Sequence, residues 1–249
     1  MSFEDYFKKI SKKVGFASLR WTQADSEHLL VRQNKLEPLS LSKDSGYMIT
    51  VINDGGVGYS SSADFSLKGI DRSFQQAMKW ALITAQRAVC DFSALSHQHS
   101  TGSYTSPLKT PWNTISLCEK IDTLKTVSEN IKDSDLIVDW GASLNYSHVR
   151  QRYITNGGGE VEQEIYRLVP NVYATAFDHG ESQTRTLFGG GLARQAGWEL
   201  LDECNLLQEG KRVGREAVEL LKAQNCPDDC RDLLLMPDQM MLQIHESIG

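Results

Sequence analysis

The sequence predicts an α+β protein made of two lobes of antiparallel sheet packed with long helices. Apolar residues recur at helical spacing in several long segments, and between these segments apolar and polar residues alternate with a period of two. The predicted strands are grouped together instead of alternating singly with helices, which is typical of α+β folds. Residues 91–113 contain two prolines and follow neither period, so we interpret them as a linker or surface loop between the lobes.

The first lobe opens with an amphipathic helix predicted over residues 2–14, for which Ser2 is a suitable N-terminal cap. The alternation that starts at Phe16 leads into a meander, with strands predicted at 27–33, 36–42, 47–52 and 56–61. Asn53-Asp54-Gly55 separates the last two of these strands, and such a triplet favours the positive φ angles of a tight hairpin. A long helix is predicted over residues 67–89, where alanines at helical spacing indicate close packing on the sheet.

The second lobe opens with a helix predicted over residues 115–131. Strands are then predicted at 136–146, 149–155, 160–168, 171–177 and 183–188, with Asn156-Gly157-Gly158-Gly159 as the turn after the second of them. The next predicted helix covers residues 205–224. Leu233-Leu234-Leu235 predicts a short buried strand, and Pro237 can occupy the first turn of a final helix.

Composition excludes several classes of protein. The 249 residues are 40% hydrophobic and carry a net charge of −6, with a pI near 5.5. This balance argues against general nucleic-acid binding, which normally needs a basic face. No apolar run approaches the length of a membrane span, and the first residues lack the apolar core of a signal peptide. We therefore expect a cytoplasmic protein.

Three other sequence patterns are candidate sites. The five cysteines are odd in number and scattered, which does not indicate a disulfide framework, and Cys226 and Cys230 form a C-x-x-x-C pair without a nearby histidine. His97 and His99 could bind a metal ion if they lay on a strand, although their polar surroundings favour solvated side chains. Gly189-Gly190-Gly191 lacks the residues that complete a phosphate-binding loop, so a close backbone approach is favoured over nucleotide binding.

The candidate catalytic pair is His245-Glu246, which lies on the predicted final helix. In many zinc peptidases a histidine supplies a neutral nitrogen ligand, and the following glutamate takes a proton from the metal-bound water. The familiar H-E-x-x-H pattern fails here because its fifth position is Gly249. By itself the dipeptide is therefore weak evidence, and an ordinary helical surface is the competing interpretation.

Longer segments strengthen the catalytic interpretation. The ending HESIG and the segments GYMITVINDGGVGYSSSADFS and REAVELLKAQNCPDDCRDLLLMP resemble the TldD/PmbA family of metallopeptidases, and the resemblance runs from about Val31 to Gly249. It implies a zinc-dependent peptidase with His245 as a metal ligand and Glu246 as the general base. The family motif is H-E-x-x-x-H, so the chain is expected to stop one residue before the second histidine ligand. A third ligand, a cysteine, is expected in a C-terminal domain.

The resemblance also implies an organisation and partners. We expect an N-terminal domain over 1–92, a linker over 93–113, a central domain over 114–230, and the start of the metallopeptidase domain over 231–249. The implied substrates are unfolded or short peptides, including modified peptide precursors. The implied partner is a PmbA/TldE-type subunit that lacks the metal motif, or a second copy of the chain. The alternatives are a noncatalytic peptide-binding or assembly module, or a nucleotide-dependent enzyme that uses the Gly189–Gly191 loop.

Overall fold

The computed structural model describes residues 1–187 and 192–248, and it confirms the α+β class. The helices are α1 (Phe3–Ile10), α2 (Leu67–Ala85), α3 (Leu117–Ile131), α4 (Leu200–Glu203), α5 (Leu206–Leu220) and α6 (Pro237–Ile248). The strands are β1 (Phe16–Arg32), β2 (Lys35–Leu36), β3 (Ser40–Asn53), β4 (Gly56–Ser62), β5 (Thr101–Thr105), β6 (Ile137–Thr155), β7 (Glu160–Asp178) and β8 (Glu181–Thr186).

Within the described residues these strands form one sheet in the order β4-β3-β1-β6-β7-β5, with β2 beside β1 and β8 beside β7. Both predicted turns close hairpins. Asp54 and Gly55 have φ angles of 51° and 80° between β3 and β4, and Gly158 has a φ of 92° between β6 and β7. These positive angles explain why turn-forming residues occupy those positions.

The chain divides into two compact units, each built from separated segments. Unit 1 comprises Met1–Asp25, Ser42–Ser106 and His148–Ile165, and unit 2 comprises Ser26–Leu41, Pro107–Ser147 and Tyr166–Gly249. The long strands β1, β3, β6 and β7 therefore contribute residues to both units. The predicted boundaries at 1–92, 93–113, 114–230 and 231–249 remain predictions.

In unit 1, α1 and α2 cover a core that is fully enclosed. Ser2 and Asp5 form a capping box at the start of α1, and the Ser66 hydroxyl accepts a hydrogen bond from the Gly69 amide at the start of α2. The core side chains include Phe7, Leu19, Ile49, Ile70, Phe74 and Ile154. A Cβ atom on Gly58 would lie 2.1 Å from the Ala77 carbonyl oxygen, so glycine at this position permits α2 to rest directly on β4.

In unit 2, the helices α3 and α5 pack against each other. A Cβ atom on Gly214 would lie 2.0 Å from the Ile131 carbonyl oxygen, so this glycine of α5 permits the two backbones to approach closely. The larger apolar cluster of the protein lies here and includes Leu124, Val127, Ile137, Leu144, Leu168 and Val213.

Several predicted boundaries are wrong, and the strands are longer than the sequence pattern suggested. The strands predicted at 36–42 and 47–52 are not separate, because residues 43–46 between them lie inside β3, and the breaks predicted within β6 and β7 are absent. The physical reason is that pairing with neighbouring strands stabilises polar stretches that lack any local strand pattern.

The segment interpreted as a linker also contains ordered structure. β5 pairs with β7 in parallel, which corrects the expectation of purely antiparallel sheets, and Trp112 is only 3% exposed. At the other end of the chain, the predicted buried strand Leu233-Leu234-Leu235 does not form, since Leu233 and Leu234 are 80% and 87% exposed. None of the helices within residues 1–187 and 192–248 combines the length and the apolar character that a membrane span requires.

Candidate functional site

The predicted catalytic pair lies near the end of α6. This helix begins at Pro237, where the missing amide hydrogen costs nothing because the first turn has no acceptor within the helix. The side chains of His245 and Glu246 are 74% and 70% exposed, and His245 Nε2 lies 3.9 Å from a Glu246 carboxylate oxygen. Adjacent residues on a helix point roughly 100° apart, so this separation reflects two side chains that bend towards each other in solvent.

The apolar residues of α6 are exposed as well. Leu242 is 60% exposed and Ile248 is 84% exposed. The other apolar side chains of the helix, Met240, Met241 and Ile244, are between 40% and 55% exposed. The helix therefore presents both its candidate catalytic residues and its apolar residues to solvent. Gly249, the position at which the familiar histidine motif fails, lies outside the described residues.

The described residues do not form a complete metal site. They contain no group of three or more His, Cys, Asp or Glu side chains that could hold a metal ion. A catalytic zinc site normally uses three protein ligands, and the predicted assignment gives only His245 as a ligand, with Glu246 as the base. The donor set of the described residues is thus too small for a catalytic zinc ion.

The histidine pair in the segment after α2 serves packing in unit 1. The His97 ring stacks on Phe16 with centroids 4.3 Å apart, and its Nε2 lies 3.2 Å from the Phe92 carbonyl oxygen. His99 Nδ1 lies 2.7 Å from the Thr155 hydroxyl. A Cβ atom on Gly157 would lie 2.2 Å from the His99 ring, so the glycine turn leaves room for this imidazole. His99 is exposed, as expected, whereas His97 is half-buried, and neither belongs to a group of metal ligands within the described residues.

The remaining sequence candidates are the C-x-x-x-C pair and the glycine triplet. Cys226 and Cys230 are free, exposed thiols. Gly189-Gly190-Gly191 lies outside the described residues, so the nucleotide-binding alternative stays a prediction.

The structure reveals a buried charged cluster in unit 2 that the sequence analysis missed. Lys120 on α3 and Glu27 on β1 have side chains only 6% and 19% exposed, and the Lys120 ammonium lies 3.4 Å from a Glu27 carboxylate oxygen. The same ammonium lies 3.8 Å from the centroid of the Trp112 ring, whose Nε1 donates a 2.8 Å hydrogen bond to Glu27. Trp112 in turn stacks on Tyr146 at 4.8 Å.

Burial sets the electrostatics of this cluster. Desolvation lowers the pKa of the Lys120 ammonium below its ordinary value, while the Glu27 carboxylate opposes that shift. The pair is half-enclosed by aromatic rings, since the Trp112 ring lies against the ammonium and stacks on Tyr146. We therefore interpret it as a structural cluster. The sequence feature that could have revealed this cluster is the position of Lys120. It lies four and seven residues before the apolar Leu124 and Val127, which is the spacing of the buried face of a helix.

Two family models match most of the chain. The model described as PmbA/TldA metallopeptidase domain 1 matches residues 13–81, and the model described as PmbA/TldA metallopeptidase central domain matches residues 110–225.

Two curated relatives are archaeal metalloproteases. The chain is 24% identical to a metalloprotease of Methanocaldococcus jannaschii over 247 residues, which is 97% of this chain and 53% of the relative. It is 23% identical to a metalloprotease of Methanothermobacter thermautotrophicus over 240 residues, which is 96% of this chain and 51% of the relative. The chain therefore spans about half the length of the curated relatives it matches.

Solved structures share the fold. A protein of Thermotoga maritima described as a modulator of a DNA gyrase is similar with a TM-score of 0.68 at 17% identity, covering 90% of this chain and 49% of that one. TldE from Thermococcus kodakarensis is similar with a TM-score of 0.64 at 13% identity, covering 87% of this chain and 47% of that one. At these identities the similarity shows the fold alone.

Proposed function

We propose a function from the premise that this chain belongs to the PmbA/TldD metallopeptidase family. The function is that of a metalloprotease. More specifically, the whole protein is a zinc-dependent peptidase that cleaves unfolded or short peptides, including modified peptide precursors. The observation that carries this proposal is the match of two successive domain models of one metallopeptidase family, followed in the chain by His245-Glu246 on a helix.

The roles of the two residues follow from their chemistry. Glu246 is the general base that accepts a proton from the attacking water and passes it to the leaving amine. His245 is one metal ligand. Both side chains are exposed on α6, which leaves them accessible to residues that approach from elsewhere.

The missing ligands are proposed to come from residues outside 1–187 and 192–248, on this protein or on a partner. The partner is a PmbA/TldE-type subunit without the metal motif or a second copy, and the assembly works in the cytoplasm. Because the chain spans about half the length of the curated relatives, these statements concern the whole protein and not the described residues alone.

The test compares three variants of the native gene product. Glu246→Gln should keep its bound zinc and lose about 10²–10⁴-fold in peptide hydrolysis, the usual contribution of a general base. His245→Ala should lose zinc as well as activity. Glu129→Gln, an exposed carboxylate on α3, is the matched control and should change neither. Metal analysis and cleavage of a fluorogenic peptide provide the two measurements, and unchanged turnover in Glu246→Gln would remove the mechanism.

The alternative is a noncatalytic peptide-binding or assembly module, and the incomplete donor set of the described residues keeps it in consideration. The alternative predicts that the native protein binds peptides without cleaving them, and that Glu246→Gln changes neither property. The same assay therefore separates the two functions.

A further inference from the structure

The turn between β6 and β7 carries a side chain that ties two parts of unit 1 together. The Asn156 Nδ2 atom donates hydrogen bonds to the Ser11 carbonyl oxygen at 3.2 Å and to the Val14 carbonyl oxygen at 3.1 Å. The Asn156 Oδ1 atom accepts a 3.1 Å hydrogen bond from the Ala17 amide, and the backbone amide of Asn156 donates to the Ala17 carbonyl oxygen at 3.0 Å. One asparagine therefore holds residues 11–17, where the chain passes from α1 into β1, against the turn.

These contacts require a primary amide at position 156 and exclude a carboxylate. Nδ2 has two hydrogens, and each is donated to a carbonyl oxygen that can only accept. Ser11, Val14 and Ala17 are buried, so their backbone groups depend on this partner more than exposed groups would. An aspartate would place an acceptor oxygen against two buried carbonyl oxygens and would leave both without the donor.

The residue that follows Asn156 makes this amide chemically reactive. Asn156-Gly157 is the only Asn-Gly dipeptide in the sequence. The backbone nitrogen after an asparagine can attack the side-chain carbonyl carbon, and glycine hinders this attack least because it has no side chain. Gly157 is exposed, and its amide forms no hydrogen bond with the residues that the structure describes. The attacking nitrogen is therefore free, while the amide that it would attack is held.

Packing explains why the reactive dipeptide is retained. A Cβ atom on Gly157 would lie 2.2 Å from the His99 ring, and that ring is fixed by its 2.7 Å contact with the Thr155 hydroxyl. The imidazole thus occupies the space that any side chain at position 157 would need.

We propose that Asn156 is a deamidation site that the fold keeps closed, and that modification there makes detachment of residues 11–17 irreversible. In this reaction the Gly157 nitrogen bonds to Asn156 Cγ and loses its proton. The bond between Cγ and Nδ2 breaks, and Nδ2 leaves as ammonia. Water then opens the five-membered imide to an aspartate or an isoaspartate, so the only co-reactant is water.

The hydrogen bonds of Asn156 control the reaction through the side-chain amide. Ring closure requires Cγ to turn towards the Gly157 nitrogen, and departure of Nδ2 breaks its bonds to the Ser11 and Val14 carbonyl oxygens. The rate therefore follows the fraction of chains in which residues 11–17 have separated from the turn. After the reaction, the carboxylate has no hydrogen to donate and repels both carbonyl oxygens, so the segment does not return to its place.

The first test measures the rate of deamidation in the unaltered full chain. Peptide mapping by mass spectrometry detects the mass increase at Asn156 when OH replaces NH2, with the chain incubated in native buffer or in urea. We expect deamidation in urea to be at least about tenfold faster, because the folded chain holds Nδ2. This comparison does not depend on the folding of any variant.

Two matched isoleucine variants identify which part of the fold closes the site. Ile10→Ala shortens a partly buried side chain of α1 next to Ser11, and Ile121→Ala shortens a partly buried side chain of α3 in unit 2. In native buffer, Ile10→Ala should accelerate deamidation about threefold or more, while Ile121→Ala should stay within about twofold of the native chain. Equal acceleration would mean that the whole chain must unfold, which contradicts the role of residues 11–17.

A variant with the reaction product tests the irreversible step. Asn156→Asp should lower the Tm by about 5 °C or more, because two buried carbonyl oxygens lose their donor. It should also accelerate trypsin cleavage after the exposed Lys12 and Lys13, since the segment that contains them is detached. Asn225→Asp adds the same charge at an exposed asparagine, and it should leave both properties as they are in the native chain.

Three results would overturn the proposal. The first is deamidation at Asn156 that is no faster in urea than in native buffer. The second is equal acceleration by the two isoleucine variants. The third is an Asn156→Asp chain with the Tm and the trypsin resistance of the native chain. None of these measurements involves His245, Glu246 or peptide hydrolysis by the protein, so they are distinguishable from a failure of the proposed peptidase function.

Discussion

Two pairs of a basic and an acidic side chain in this protein differ in burial, in sequence separation and in their neighbours. His245 and Glu246 are neighbours in sequence, are 74% and 70% exposed, and lie 3.9 Å apart. Lys120 and Glu27 are 93 residues apart in sequence, are 6% and 19% exposed, and share an aromatic neighbour in Trp112. The first pair is recognised from a sequence motif, and the second exists only in the folded chain.

The difference in solvent exposure predicts different contributions of the two pairs to stability. The exposed pair contributes little to folding, because water solvates both groups and screens their attraction. The proposed function assigns this pair to catalysis, and its solvent exposure agrees with that proposal. The buried pair has lost its solvation and depends on its partners, so its loss is felt in stability. A half-exposed pair in unit 2, Arg32 and Asp139, provides an intermediate case with exposures of 50% and 27%.

The largest expected effect on stability comes from breaking the buried pair. Lys120→Met should lower the free energy of unfolding by about 3 kcal/mol, because it leaves the Glu27 carboxylate buried with only the Trp112 donor. Urea denaturation provides the measurement. Adding Glu27→Gln to this variant should recover most of the loss, since no uncompensated charge then remains.

Lys125→Met on the same helix is the control for that experiment, and it should change the free energy of unfolding by less than about 0.5 kcal/mol because Lys125 is exposed. A loss below about 1 kcal/mol in Lys120→Met would mean that the buried and exposed pairs do not differ as the comparison requires.

A smaller loss is expected from the aromatic partner. Trp112→Phe keeps a ring for stacking on Tyr146 and removes the Nε1 donor to Glu27, which should cost about 1–3 kcal/mol because the acceptor is charged. Trp198→Phe is the matched control, since its ring lies 5.7 Å from Trp112 and lines the same cluster. Equal losses in the two variants would show that packing, and not the hydrogen bond, supports the carboxylate.

The pair of Arg32 and Asp139 should make the free energy of unfolding depend on pH. The hydrogen bond from the Arg32 guanidinium holds the pKa of the Asp139 carboxyl below its ordinary value. The stabilisation is therefore complete above the unfolded pKa of about 3.9 and is lost as the pH falls through the lower folded value.

When urea denaturation is repeated between pH 5 and pH 2, the free energy of unfolding should therefore fall less in Asp139→Asn than in the native chain. Asp122→Asn, at an exposed aspartate of α3 outside the ion pairs of the described residues, should behave as the native chain does. Identical acid sensitivity in all three proteins would contradict a contribution from the pair.

The smallest effect is expected at the candidate catalytic pair. His245→Ala and Glu246→Gln should each change the free energy of unfolding by less than about 0.5 kcal/mol, because both side chains are solvated on α6. Thermal denaturation of the 249-residue chain provides the measurement. A loss above about 1 kcal/mol would show that α6 is packed against other groups and that the pair has a structural role.

Local signals in the sequence predicted much of the fold. Helix α1 begins at its predicted cap, Ser2, because a serine side chain satisfies a free amide of the first turn wherever the helix lies. The hairpin at Asp54-Gly55 follows from backbone angles that few other residues adopt. The α+β class and the family follow from the same kind of evidence, since periodicity and motif segments are properties of neighbouring residues.

The sequence by itself thus determined the class, the helices, the tight turns and the family, and it singled out His245 and Glu246. Only the tertiary structure decided that Lys120 is buried against Glu27, that β5 joins the sheet in parallel, and that Leu233 and Leu234 stay exposed. The physical reason is the distance along the sequence between the interacting residues. A cap or a turn is stabilised by atoms only a few residues away. Burial of a charge and pairing of a polar strand depend instead on partners far along the chain.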